Sequence, residues 1–149
     1  MKTVAQLKND MDRARAKESR ARAELAHISK KSPKNVTMIT ERAARLRQAQ
    51  IELAKADEAL AEHLCSPLQV GNMFRGQDGA LYQISRFYIR KIIHGEYLGG
   101  WMSKRINTED RMQAHFNEAR EFTMDEIENL PRGASQESHS YIFNWWDIA

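Results

Sequence analysis

The first 73 residues of this 149-residue chain contain no phenylalanine, tyrosine or tryptophan; all twelve aromatic residues lie at or after Phe74. A segment without aromatics can make helices, but base stacking by it is not expected. Cysteine is nearly absent as well. Cys65 is the single one, which excludes an intrachain disulfide and fits a reducing compartment, the cytoplasm. No apolar run approaches the ~18 residues of a membrane span, and MKTVAQLKNDMDR lacks the apolar stretch of a secretory signal. Neither membrane insertion nor export is expected.

Chemical motifs are scarce too. The chain has no GxxxxGK phosphate loop and no GxGxxG, GxSxG or HExxH pattern. His63 and Cys65 stand two residues apart, so on a helix they diverge, and no second pair accompanies them as metal ligands. Nothing at that spacing activates Cys65 as a nucleophile. His115 falls on an apolar helical stripe, and Ser138 and His139 have no third partner. Asp125, Glu126 and Glu128 lack the spaced Glu-x-Lys of a two-metal nuclease and read as a solvated face. A protein without catalytic residues, metal or cofactor is the expectation.

What is present divides at Ser66-Pro67, where Ala, Arg, Lys, Glu and Leu give way to aromatic and β-branched residues. Proline disfavours helix at the residue before it, which suits a boundary there. Two domains are expected, 1–65 and 66–149. In the first, small or apolar residues recur in steps of three and four: Val4, Leu7, Met11, Ala14, Ala21, Leu25 and Ile28, interrupted at Glu18. A second seam runs Ile39, Ala43, Leu46, Leu53, Leu60 and Leu64, with Gln50 and Asp57 within it. Such narrow seams predict two coiled-coil-like helices joined as an antiparallel hairpin, with Ser32-Pro33 as N-cap and first residue of the second. The alanines allow close approach. One register sets Glu18 opposite Gln50 as a polar layer.

After Pro67 the period changes. Asp78-Gly79 and His94-Gly95 are turn signals between strand-like runs, and Gly99-Gly100 suits a bulge. The "VG-x-x-F" and "DG-x-x-Y-x-I" pieces followed by a Tyr- and Trp-bearing strand resemble the SH3-like and Tudor-like barrels, a resemblance that implies a fold and no activity. An inserted helix is expected near 108–120, a strand or short helix in EFTMDEIENL, and a final strand over 140–148. The class is α+β. The last strand is apolar on both faces, as a central strand or a docking tail would be. Trp101, Trp145 and Trp146 are the candidates for protein docking.

Charge is unevenly placed. Residues 1–65 carry 14 Lys and Arg against 9 Asp and Glu, and residues 66–149 carry 9 against 11. The near-repeat RARAKES-RARAELA sets Arg13 over Arg20 and Arg15 over Arg22. Arg13, Lys17 and Arg20 form one helical stripe, and Arg15 and Arg22 its neighbour. Lys30, Lys31 and Lys34 crowd the hairpin tip, and Arg42, Arg45 and Arg47 extend the basic surface along the second helix. The opposite end, residues 48–65, is acidic. The flanks of a coiled coil are charged in any case. A gradient from acidic base to basic tip is not needed for solvation, however, and suits contact with phosphates or an acidic surface.

In outline the chain also resembles the bacterial transcript-cleavage factors, which project a helical hairpin ahead of a small β domain. Those factors hold magnesium on acidic residues at the hairpin tip, whereas this tip reads SKKSPKN. The expected function is a non-enzymatic regulator or inhibitor, of the kind phages and mobile elements carry, acting on nucleic acid or a nucleic-acid-binding complex. Two alternatives stand beside it: an assembly protein that homodimerises through the coiled coil, and a factor that enters a polymerase or nuclease channel without cleaving.

Overall fold

The computed structural model describes residues 1–76, 78–106 and 121–130. The chain forms two compact units, Met1–Asp57 and Glu58–Ala149, and its class is α+β. Two long helices come first: α1 (Val4–Lys31) and α2 (Val36–Leu64). Four strands follow, β1 (Met73–Arg75), β2 (Leu81–Ile93), β3 (Glu96–Ile106) and β4 (Glu121–Phe122), then a one-turn helix α3 (Met124–Glu128). None of the described helices is long and apolar enough to cross a membrane.

α1 starts at a capping box: the Gln6 N–H donates to Thr3 Oγ1 and the Thr3 N–H to Gln6 Oε1, which satisfies two otherwise orphaned donors. The expected seam is the burial pattern of this helix. Leu7, Met11 and Ala21 are buried and Val4, Ala14, Leu25 and Ile28 half-buried. α1 ends with two lysines in its last turn, favourable against the helix dipole. The turn differs from expectation. Ser32 caps the end of α1, its N–H donating to Ile28 O, and Pro33 lies inside a turn closed by the Asn35 N–H to Ser32 O. The N-cap of α2 is Asn35, whose Oδ1 accepts the Met38 N–H. Asn matches Ser as a cap, and placing the cap three residues later gives Pro33 a turn position where its fixed φ fits and its missing N–H costs nothing.

In the second unit β1, β2 and β3 form an antiparallel meander, and β4 adds to β1 in parallel, giving the order β3-β2-β1-β4. The expected barrel is therefore not seen: among the described residues the sheet is open, with β3 and β4 at its edges. Closure would need edge strands long enough to pair, and β4 has two residues. The expected helix near 108–120 and strand over 140–148 lie outside the described residues. EFTMDEIENL forms both of its alternatives in succession, β4 and α3. Asp125 and Glu126 occupy the first turn of α3, where a carboxylate is favourable, and the Glu126 N–H donates to the capping Thr123.

His94 and Gly95, both at positive φ, make the tight turn that joins β2 to β3, the twist such hairpins need. The Asp78-Gly79 turn closes with the Gly76 N–H donating to Ala80 O and Asp78 Oδ1 accepting the Ala80 N–H. The Tyr82 hydroxyl donates to Asp78 Oδ2, which holds the Asp78 carboxyl below its ordinary range.

Along LYQISRFYIR the alternation of Tyr82, Ile84, Arg86 and Tyr88 with Leu81, Gln83, Ser85 and Phe87 is imperfect, and the cause is definite. The register with β3 slips between Ile84 and Arg86, leaving Ser85 as an extra residue. Before the slip Tyr82 and Ile84 face the core; after it Phe87 does, with Ile89 packed beside. One bulge residue thus moves the inward set from even to odd positions. A second slip at Arg90 lies opposite Gly99 and Leu98, so the irregularity expected at Gly99-Gly100 sits on the neighbouring strand.

The core of this unit joins Phe74, Tyr82, Ile84, Phe87, Trp101, Phe122 and Ile127 to Ala61, Cys65 and Leu68. Phe74 and Tyr82 are directly paired across β1 and β2, with ring centres 5.7 Å apart. Burial pushes the Cys65 thiol up to about 12, so it stays protonated and unreactive at neutral pH. The end of α2 meets β3 at Gly99. A β-carbon there would stand 3.0 Å from Cys65 Sγ and 3.3 Å from both Ala61 O and Leu64 Cβ. Gly99→Val is expected to cost about 1–3 kcal/mol through overpacking. The check is a lower urea midpoint at unchanged slope.

Candidate polyanion-binding surface

The first unit places the basic residues on two antiparallel helices. Two ion pairs cross between its helices: Lys17 Nζ to Glu52 Oε2 at 2.8 Å and Arg42 Nη1 to Glu24 Oε2 at 3.6 Å. Together they hold a register in which Glu18 stands within about a turn of Gln50, close to the register expected from the seams. The polar layer itself does not form. Gln50 is exposed and Ala49, at 1 % exposure, takes the inward place. Glu18 is instead paired along its own helix with Arg22, which donates through Nε at 3.0 Å and through Nη2. Burying an amide without a full set of partners is costly, whereas an alanine methyl buries without that penalty.

Three of the basic side chains are therefore engaged: Lys17, Arg22 and Arg42. Arg13, Arg15, Arg20, Lys30, Lys31, Lys34, Arg45 and Arg47 are exposed and have no ion-pair partner among the described residues. Three acids of the same helices, Glu18, Glu24 and Glu52, are taken up by the engaged cations. The remaining positive charge faces solvent.

Between the two cross-helix pairs lies a surface groove of about 420 Å³. Its floor is Ala21 and Ala49, and its walls are Lys17, Arg20 and Glu24 on one side and Arg45 and Gln48 on the other. The seam alanine Ala21, read from the sequence as small enough to admit the other helix, forms part of the groove floor, and the groove itself was not expected. The available signal was small residues at facing seam positions, flanked by long cations.

Glu52 titrates below its ordinary range, chiefly because Lys17 donates to it. A carboxylate with a depressed folded-state value favours folding above its ordinary pKa, and that contribution fades as pH falls through the folded value. Lys17→Met should move the Glu52 titration, followed by carboxyl-carbon NMR, back toward the ordinary value. An unchanged midpoint would mean that the pair is not formed in solution.

Of the docking tryptophans, Trp101 is fully buried, paired with Phe87 across β2 and β3. It packs the core and is not on the surface. Trp145 and Trp146 lie outside the described residues. No group of metal-ligating side chains occurs among the described residues. Comparison with family models, curated proteins and solved structures finds no match.

Proposed function

We propose that the chain is a binding protein that engages nucleic acid, or the complex that handles it, through the basic surface of its helical hairpin, as a regulator or inhibitor. The observation that carries this reading is the separation of engaged from unengaged charge. Ion pairs consume the acids beside the repeat and leave Arg13, Arg15, Arg20, Arg45 and Arg47 exposed without partners. A charged flank that served only to solvate a seam would be better neutralised by neighbouring acids, as Arg22 is by Glu18. With no aromatic in this unit, the contact is electrostatic, salt-sensitive and indifferent to base sequence. The aromatic β unit is the second compact body of this reading. Occlusion or recruitment is the mode of action.

The test is a pull-down of the tagged chain from a cell extract, split into nuclease-treated and untreated halves and read by mass spectrometry. Loss of the captured proteins on nuclease treatment supports direct contact with nucleic acid. Retention of specific nucleic-acid enzymes supports docking in such a machine, the channel-binding form of the same reading. Capture of neither contradicts it. Light scattering distinguishes the assembly alternative, which requires a dimer or larger species.

A further inference from the structure

The groove between the cross-helix ion pairs has a more specific chemistry than the basic surface around it. Lys17–Glu52 and Glu24–Arg42 mark its two ends, and in each the charge is already matched. Between them Arg20 from α1 and Arg45 from α2 both line the groove, and neither has a carboxylate partner among the described residues. The floor is made of Ala21 and Ala49, whose small side chains leave the groove open between the walls that carry Arg20 and Arg45. Gln48, the other polar residue of the α2 wall, carries no charge.

Two like charges lining one groove repel each other, and an anion bound between them relieves that repulsion. Guanidinium groups offer parallel N–H donors that match the paired oxygens of a phosphate, a geometry an ammonium cannot reproduce. The walls are exposed and only the floor is buried, so the groove suits a ligand that lies across it rather than one enclosed within it.

We propose that this groove is a phosphate seat. Arg20 and Arg45 clamp one backbone phosphate of a nucleic acid crossing the hairpin, and the two flanking ion pairs hold the helices at the spacing the clamp needs. The inference rests on the reading of the hairpin as a nucleic-acid-contacting arm. It adds that one point on that arm is stereochemically specific rather than merely positive.

The test uses substitutions that keep the charge. Arg20→Lys/Arg45→Lys and, as a control on the same helix outside the groove, Arg13→Lys/Arg15→Lys are made in the full chain. Binding of fluorescein-labelled oligonucleotides, single-stranded and duplex, is followed by anisotropy, with thermal melting as a check on folding. A seat built on guanidinium forks predicts roughly tenfold weaker binding for the groove variant and none of that loss for the control. Equal binding by both variants and the unsubstituted chain overturns the seat while leaving a diffuse electrostatic contact intact. If a poly-glutamate peptide binds as tightly as the oligonucleotide, the assignment to phosphate is overturned. No binding of any oligonucleotide by the unsubstituted chain overturns both the seat and the reading beneath it.

Discussion

Replacing Arg13, Arg15, Arg20, Arg45 and Arg47 together by glutamine is expected to weaken oligonucleotide binding by roughly a hundredfold or more at moderate salt. Each exposed contact with a phosphate contributes little alone, about as much as an exposed ion pair, but five act on one polymer. Glutamine is nearly as good a helix former as arginine, and none of the five takes part in the pairs that cross the hairpin. The helices should therefore keep their register while the field changes. Helical circular dichroism and melting temperature should stay close to those of the unsubstituted chain. An intact hairpin that binds as before would mean that the charge gradient serves solubility alone.

The second large effect concerns Trp101. Its removal should act on stability and not through a lost surface contact. The side chain is fully buried among Phe74, Tyr82 and Phe87 of the same core. Trp101→Ala is expected to cost about 3–5 kcal/mol, the usual range for emptying a large aromatic site. That is a large fraction of the stability of a small domain. Urea unfolding followed by far-ultraviolet circular dichroism measures the loss. A change below 1 kcal/mol, within the range of ordinary surface substitutions, would place Trp101 outside the core.

These two residue groups also mark how far the sequence could be read. The α1 seam was legible because its apolar positions contrast sharply with charged neighbours at every turn. The middle of α2 was less so. Ala49 and Gln50 straddle the seam, and a small rotation of the helix decides which one faces inward; the cost of burying an amide favours the alanine. The sequence pointed to Ser32-Pro33 as the start of α2, and the hydrogen bonds of the turn put the cap at Asn35 instead. In β2 the alternation was visible but its phase change was not, because a bulge at Ser85 leaves no composition signal beyond a break in the pattern.

Turn residues identified the hairpins at Asp78-Gly79 and His94-Gly95 correctly, since positive φ is a local requirement. Barrel closure is a different kind of property. It depends on strands far apart in sequence finding one another, and local turn grammar carries no information about that. Trp101 illustrates the same limit: a tryptophan between strand residues reads alike whether it faces a core or a partner. The groove at Arg20 and Arg45 joins side chains from two helices, so only the hairpin register could bring it to light.

The most direct test of the central claim is the salt dependence of oligonucleotide binding by the unsubstituted chain. Contact through the basic hairpin predicts that the logarithm of the binding constant falls linearly with the logarithm of salt concentration. Its slope should be about −0.9 for each phosphate neutralised on a duplex. Between about 50 and 200 mM salt, affinity should drop by tenfold or more. A binding constant that does not respond to salt, or no binding at the lowest salt, would contradict the account.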